Sequence, residues 1–180
     1  MRLVRTLTVL ALVILLPAIS WYYLSKGADW RKRGLAEISQ RTQIDFPSLL
    51  TSEGTSLGQD DLFGSFAIAV DGATVPVPDL QKLTEQFGVR QDMQFLMFNG
   101  QAPDTEDDPW VHIDCVDTAC RMLTDVLFPG TKNAALIDDS LQVRRSYDLR
   151  EAEEMKRLIE HGAILLPTEK REQIELIRGE

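Results

Sequence analysis

Residues 133–167, NAALIDDSLQVRRSYDLREAEEMKRLIEHGAILLP, decide the fold, because their pattern changes from strand to turn to strand to helix. Residues 134–137 are a short apolar run, 138–140 are typical of a turn, and 143–147 form a second extended segment. The spacing after Glu151 predicts a helix whose buried face comprises Met155, Leu158, Ile159 and Ala163. Acidic residues at its start and His161 near its end suit the helix dipole. A hairpin that leads into an amphipathic helix requires a sheet for that helix to cover.

Strand and helix patterns alternate along the preceding chain. Two short apolar runs, 65–70 and 93–98, are typical of strands covered on both faces. Residues 78–87 and 118–128 have helical spacing. Their predicted buried faces are Leu80, Leu83 and Phe87 in the first helix, and Ala119, Leu123 and Val126 in the second.

The remaining segments complete the order of elements. Residues 52–55 form a turn within an extended stretch, 60–64 form a tight connection, and 110–114 form another strand. The order is β-hairpin, strand, helix, strand, strand, helix, strand, strand, helix. This order predicts a three-layer α/β sandwich with parallel central strands. We interpret the acidic segment 99–108 as a solvated loop.

Charges are distributed unevenly along the chain, whose formal net charge is −9. Six of the nineteen basic residues lie in the first 33 positions, where Asp29 is the only acid. From residue 34 onward, 13 basic residues stand against 27 acidic ones, a net charge of −14. Such an acidic domain is unsuited to nucleic acid, because neutralising phosphates requires a basic surface. Basic protein partners fit better, although solubility alone also explains an acidic surface.

An uncharged run of eighteen residues, LTVLALVILLPAISWYYL at 7–24, is close to the length that crosses a bilayer. Trp21, Tyr22 and Tyr23 at its end are typical of the membrane–water boundary. We therefore predict a retained membrane anchor over residues 1–25. A cleaved signal peptide is the alternative, although the region after Pro17 lacks a clean small-x-small cleavage signal.

The rest of the chain divides into three parts. Residues 26–43 are expected to form a juxtamembrane linker or helix, and residues 44–167 the folded domain. Residues 168–180 are a polar tail that packs on a partner or frays. Basic residues flank the anchor on both sides, and a simple positive-inside count would keep the domain in the cytoplasm.

Two blocks of the chain together resemble a known family. The first contains Asp45, Phe46, EGTSL at 53–57, DLFG at 61–64 and the strand SFAIAV. The second contains ALID at 135–138, Val143, Arg144, Tyr147, MKRLI at 155–159 and LL at 165–166. These blocks are similar to the Sco family of membrane-anchored copper chaperones for cytochrome oxidase. The resemblance implies a thioredoxin-like fold with an N-terminal β-hairpin, placed on the periplasmic side of the cell inner membrane.

The metal site of that family is not matched. Its members place Cys-x-x-x-Cys directly after the first core strand, where two thiolates bind copper or exchange with a disulfide. Here residues 71–78 read DGATVPVP, without a cysteine. Where the family has its metal-binding histidine, this chain has Thr131, Lys132 and Asn133. The resemblance implies a member that has kept the fold and lost the site, with neither catalytic residues nor a cofactor.

The two cysteines, Cys115 and Cys120, lie elsewhere, and His112 precedes the first by three residues. Three interpretations stay open. The pair forms a disulfide, which an oxidising compartment favours, or the side chains pack as small buried hydrophobes. In the third interpretation the cysteines and His112 bind a metal such as copper or carry out redox chemistry, although their spacing is no specific metal signature.

The metalloprotease pattern His-Glu-x-x-His does not occur in the sequence. Arg144 and Arg145 are expected either to bind an acidic partner or to lie on a solvated strand edge. We expect a non-catalytic, membrane-anchored protein that supports the assembly or stability of a respiratory oxidase by binding a protein partner. One alternative is a thiol-disulfide or copper-handling protein that uses Cys115, Cys120 and His112. Another is a structural accessory subunit of a respiratory membrane complex.

Overall fold

The computed structural model describes residues 2–100 and 108–166, with the side chains of residues 2–12 excepted. Two compact units make up the chain, Met1–Glu37 and Ile38–Glu180. The predicted tail, residues 168–180, lies outside the described residues, as do residues 101–107 of the predicted acidic loop.

The first unit is one long helix, α1 (Arg2–Glu37), with Pro17 in its interior. This helix includes the predicted anchor and much of the predicted linker, and it continues without interruption past residue 25. Residues 7–12 of the anchor lie where side chains are not described. A search of the described residues finds no helix with both the length and the apolar character needed to span a membrane.

The second unit is built on a six-stranded mixed sheet with the order β1-β8-β7-β4-β5-β6. Its strands are β1 (Thr42–Gln43), β4 (Phe66–Asp71), β5 (Met93–Phe98), β6 (Trp110–Ile113), β7 (Ala134–Ile137) and β8 (Gln142–Tyr147). The strands β4, β5 and β6 are parallel to one another and form one half of the sheet, so the prediction of parallel central strands is met only in part. However, β7 is antiparallel to both β4 and β8, so the direction of the strands reverses between β4 and β7.

A separate two-stranded hairpin, β2 (Leu49–Leu50) with β3 (Ser56–Leu57), confirms the turn predicted at 52–55. The connection predicted at 60–64 begins with a short helix, α2 (Gln59–Leu62). The Asp61 carboxylate lies at the start of this helix and accepts a hydrogen bond from the Gly58 backbone N–H at 2.8 Å. A four-residue helix of this kind gives no apolar period in the sequence, which is why it was predicted only as a connection.

Three longer helices cover the two faces of the sheet: α3 (Val77–Phe87), α4 (Thr118–Leu127) and α5 (Ala152–Leu165). Alternating side chains of each inner strand face opposite sides, as the two-residue period of a strand requires. Ile68 and Val70 of β4 pack in the same core as α3 and α5, whereas Ala67 and Ala69 pack in the core with α4. The three-layer α/β sandwich is thus confirmed.

The predicted buried face of α3 is confirmed, since Leu80, Leu83 and Phe87 are its buried residues. Two other predicted faces need correction. In α5, Ala163 is exposed and Ile164 is buried in its place. In α4, Ala119 and Val126 are exposed, and the residues that face the sheet are Cys120, Leu123 and Leu127.

Candidate functional site

A polar cavity of about 370 Å³ lies at the carboxyl ends of β4 and β5. Open α/β sheets bind ligands at such strand ends, particularly where the strand order changes direction, as it does beside β4. The structure brings together here the two segments where the Sco resemblance places a metal site, 71–78 and 131–133. The lining residues are Asp71, Thr74, Asn99, Thr124, Asp125, Phe128, Gly130, Thr131, Lys132, Asn133 and Arg150.

A compact turn after β4 forms one side of the cavity. The Asp71 carbonyl accepts hydrogen bonds from the backbone N–H groups of Thr74 and Val75, at 3.0 and 3.1 Å. The Thr74 hydroxyl donates to the Asp71 carboxylate at 2.9 Å. A Cβ at Gly72 would lie 2.5 Å from Gly100 Cα, so the close approach of these two backbones requires glycine there. The turn is therefore held by its own hydrogen bonds.

Asn133 lies on the opposite side of the cavity and is held there by hydrogen bonds of its backbone and side chain. Its backbone N–H donates to the Tyr147 carbonyl at 2.8 Å, and its carbonyl accepts from the Asp71 N–H at 2.9 Å. Its side-chain Oδ1 accepts from the Leu149 N–H at 2.7 Å. Its Nδ2 is buried and has no hydrogen-bond partner among the described residues. One wall of the cavity thus includes an amide whose N–H donors the described protein does not use, which is an unfavourable arrangement in a buried position.

Arg150 joins the segment before β7 to the chain after β8. It donates to the Thr131 carbonyl at 2.8 Å and to both carboxylate oxygens of Asp148, at 2.7 and 2.6 Å. The side-chain hydrogen bonds from Arg150 are the main reason that the pKa of Asp148 falls to about 2. The same hydrogen bonds raise the pKa of Arg150. The pair is therefore charged at neutral pH and holds Thr131 in place.

Lys132 is connected to α5 through the buried Glu154. The Lys132 Nζ lies 3.5 Å from a Glu154 carboxylate oxygen. Arg145 and Arg157 each lie 3.2 Å from the other oxygen of that carboxylate. The buried Glu154 carboxylate is therefore surrounded by three cations, which connect Lys132 to β8 and α5.

Arg144 and Arg145 lie on β8 close to carboxylates of this chain, and the predicted contact with an acidic partner stays a prediction. The strand β1 pairs only with Gln142 and Val143 of β8, so the part of β8 that carries the two arginines pairs with β7 alone. Arg144 Nε forms an ion pair with Asp138 at 3.3 Å, and Arg145 pairs with Glu154. Both arginines are largely covered and satisfy internal carboxylates.

The cavity does not fit a copper ion. Copper in chaperones of this kind needs soft thiolate or imidazole donors. The lining supplies carboxylate, hydroxyl and amide groups together with the cations Lys132 and Arg150, and it includes neither cysteine nor histidine. The donor set therefore excludes the family's metal chemistry at this position.

The cysteines lie at the start of α4. Cys115 and Cys120 are joined in a disulfide, with their Cα atoms 5.2 Å apart. Cys120 is 2% exposed and packs in the core under α4, whereas Cys115 is partly exposed. The Asp117 carboxylate caps the helix by accepting from the Cys120 N–H at 2.7 Å. While the disulfide is intact, neither sulfur is a thiolate that could bind a metal or act as a nucleophile.

His112 has a different partner. Its Nε2 lies 2.7 Å from a carboxylate oxygen of Asp108, and its Nδ1 is buried without a hydrogen-bond partner among the described residues. Within residues 2–100 and 108–166, no three His, Cys, Asp or Glu side chains are grouped as metal ligands. The structure therefore does not gather His112, Cys115 and Cys120 into such a group.

His161 lies in the last turns of α5, near the helix end where it is predicted, and its side chain belongs to the core. It is 3% exposed, and its Nδ1 lies 2.9 Å from the Tyr147 hydroxyl. The Tyr147 side chain is fully buried. The pair therefore ties α5 to β8 and is too deeply covered to contact a ligand.

Sequence reasoning missed most of the cavity. Lys132 and Asn133 enter the predicted site only as replacements for a histidine, and Asn99 and Arg150 do not belong to the predicted site. One signal was available, since Asn99 and Asn133 are polar residues directly beside apolar strands. Asn99 has a positive φ of 55°, a conformation that asparagine tolerates better than most residues.

Comparison with known proteins agrees with this architecture. No protein-family profile and no curated protein matches the sequence. A solution structure from Bacteroides thetaiotaomicron, described as a candidate protein disulfide isomerase, matches with a TM-score of 0.52 and 12% identity, covering 69% of this chain and 87% of that one. The fold is thioredoxin-like. This similarity confirms the predicted fold class and, at such low identity, concerns the fold alone.

Two Sco structures are similar at a lower level. BsSco, a member of the Sco family of cytochrome c oxidase assembly proteins, has a TM-score of 0.49 and 10% identity, covering 70% of this chain and 96% of that one. A SCO1/SenC family lipoprotein from Bacillus anthracis has a TM-score of 0.49 and 17% identity, covering 68% of this chain and 94% of that one. TM-scores and identities at this level do not indicate the activity of this chain.

Proposed function

We propose that this protein is a membrane-anchored, thioredoxin-like domain that acts by binding another protein, and that it supports the assembly or stability of a respiratory oxidase. The observation that carries the proposal is the cavity at the carboxyl end of β4, whose lining offers no thiol and no soft metal ligand. The oxidase as partner class follows from the resemblance of the two sequence blocks to the Sco family. Fold does not by itself fix function, so the partner requires a direct test.

The location is part of the same proposal. Residues 7–24 would hold the chain in the cell inner membrane, with the domain on the periplasmic side. The disulfide between Cys115 and Cys120 supports an oxidising compartment, because such bonds are rare where thiols are kept reduced.

Isolation of the tagged full chain from its own membranes in mild detergent tests the partner. We expect oxidase subunits to be recovered with it in less than stoichiometric amounts, as for an assembly factor. Recovery in a fixed ratio through further purification would instead identify a permanent accessory subunit. If no oxidase subunit is recovered, the oxidase proposal is wrong.

A second candidate function is thiol-disulfide exchange or copper handling by Cys115, Cys120 and His112. The observation in its favour is a bonded cysteine pair beside the N-terminus of α4, with Cys115 partly exposed just before the helix and Cys120 in its first turn, where a thiolate is stabilised after reduction. Copper titration of the full chain, with thiol counting before and after reduction, separates the two functions. Stoichiometric copper binding that is lost in a Cys115→Ser, Cys120→Ser variant would establish the second candidate.

A further inference from the structure

A second surface, distinct from the polar cavity, is formed by an apolar stripe of α4 that the sheet does not cover. Met122 is 66% exposed and Val126 is 44% exposed. Ala119, which is also exposed, precedes Met122 by three residues, and the buried Leu123 borders the stripe on the side of the core. Together with residues 43–47 these side chains line a groove of about 480 Å³, which we call the α4 groove: Gln43, Ile44, Asp45, Phe46, Pro47, Ala119, Met122, Leu123 and Val126.

Both walls of the α4 groove are anchored in the core. Leu123 is 4% exposed and packs in the same core as Ile44 and Phe46, which are 3% and 5% exposed. On the other wall, Gln43 pairs with Gln142 in the sheet, and the Ile44 N–H donates to the Leu141 carbonyl at 3.5 Å. The groove is thus a preformed feature, and its apolar lining stays in contact with water unless a partner covers it.

The charges around the groove are acidic. Asp45 is exposed and is the only charged residue among those that line it. Asp125 and the basic Arg121 lie four residues apart and share one side of α4, away from the centre of the stripe. The domain as a whole carries a net charge of −14 from residue 34 onward.

We propose that the α4 groove is the docking surface for an apolar segment of a partner protein that carries a lysine or arginine at its edge. The apolar side chains would cover Met122 and Val126, and the cation would pair with Asp45. This inference rests on the proposed function, since both assign protein binding to the domain, and it adds the surface and the chemistry of the partner.

Two other occupants fit the groove less well. A second copy of the chain, related by two-fold symmetry, would bring a second acidic surface of the same kind against Asp45. The headgroups of anionic lipids would likewise be repelled by that carboxylate, and a concave groove offers a flat bilayer little contact. A basic, apolar protein segment satisfies both the lining and the charge.

The probe is a fluorescent peptide of about 15 residues, long enough to be marginally helical, with leucines at three- and four-residue spacing and lysines on the other positions. Anisotropy is measured with the full chain in neutral phosphatidylcholine nanodiscs, and binding to empty nanodiscs is subtracted. We expect saturable binding that weakens about tenfold in Met122→Glu, which places a charge in the centre of the contact.

A matched control is Val89→Glu, which makes the same kind of change at a residue that is 95% exposed and outside the groove. It should leave affinity unchanged. In Asp45→Lys we expect the lysine peptide to bind about three- to fivefold more weakly, the range of an exposed ion pair. A peptide with glutamate in place of lysine should bind this variant better than it binds the wild type.

Several results would overturn the proposal: no saturable binding of the lysine peptide, equal binding of the glutamate peptide to the wild type, or affinity unaffected by Met122→Glu. A dimer in sedimentation velocity that Met122→Glu dissociates would show that a second copy is the occupant. Full chain that still recovers oxidase subunits when it carries Met122→Glu would refute the groove as their binding site and leave the proposed function standing.

Discussion

At the scale of single residues, the Asp148–Arg150 pair gives a prediction about pH. The pKa of Asp148 is lowered from 3.8 to about 2, chiefly by side-chain hydrogen bonds from Arg150. A lowered folded-state pKa contributes stability that is fully present above the unfolded value and is lost as the pH falls from about 4 to about 2. In Arg150→Gln we expect the pKa of Asp148 to return toward 3.8, and this part of the acid sensitivity to disappear. Carboxyl ¹³C shifts followed through a pH titration measure the change.

The control for this prediction is Arg157→Gln. It also removes one positive charge from the domain, but Arg157 pairs with Glu154 and not with Asp148. The pKa of Asp148 should stay near its wild-type value in this variant. Equal rises in the two variants would mean that general positive charge, rather than the Arg150 hydrogen bonds, lowers the pKa.

The sequence indicated little about these residues. Asp148 and Arg150 are two positions apart, and a local pair of this kind can be suggested from spacing. The bond from Arg150 to the Thr131 carbonyl spans 19 positions and depends on the register in which β7 pairs with β8. That register includes an irregularity between Leu136 and Ile137, which no pattern in the sequence indicates. Long-range polar contacts of this kind follow from the assembled sheet.

At the scale of elements, α4 illustrates the limit of periodicity. The spacing at 119, 123 and 126 predicts one buried face, and the spacing at 120, 123 and 127 predicts another, since all five positions carry apolar or small residues and 123 belongs to both sets. The structure selects the second face, with Asp117 capping the helix and Cys120 bonded to Cys115. The sequence could therefore predict that the helix exists but not its rotation about its axis. The other face, with Ala119 and Val126, lines the α4 groove.

Truncating each face tests this assignment of α4. We expect Leu127→Ala to lower the free energy of unfolding by about 2–5 kcal/mol, because Leu127 is fully buried and its loss leaves a cavity. Val126→Ala is the matched control, and as a change at an exposed residue it should cost less than about 0.5 kcal/mol. Urea denaturation with unchanged m-values measures both. Similar losses in the two variants would contradict the assignment.

The disulfide at the start of α4 gives a second prediction at this scale. A crosslink that closes a loop as short as 115–120 stabilises a fold by about 2 kcal/mol in the chain-entropy description. We expect a Cys115→Ser, Cys120→Ser variant to lose about this much in urea denaturation. Reductant should lower the stability of the wild type toward that of the variant and leave the variant unchanged. A wild type that is insensitive to reductant would show that the pair does not stabilise the fold.

At the scale of the whole molecule, the order of the main elements from the opening hairpin onward could be predicted because each has a clear period. The strand β1 was missed, since two residues carry no period, and it joins the sheet only by pairing with β8. The reversal at β7 was also missed, because a buried strand is equally apolar whether its neighbours run parallel or antiparallel. The polar cavity depends on both the strand order and that reversal. The set of residues that line the cavity therefore could not be identified from the sequence alone.

The proposed anchor gives the last prediction. If residues 7–24 hold the chain in a bilayer, an Ile14→Lys, Leu16→Lys variant carries two charges near the middle of the span, each costing about 2.5–3.5 kcal/mol on insertion scales. We expect the wild type to resist an alkaline wash of membranes and the variant to be released. Trp30→Lys, outside the span, is the control and should stay bound. Release of the wild type, or a purified chain whose mass shows that it begins after residue 17, would identify the run as a signal peptide instead of an anchor.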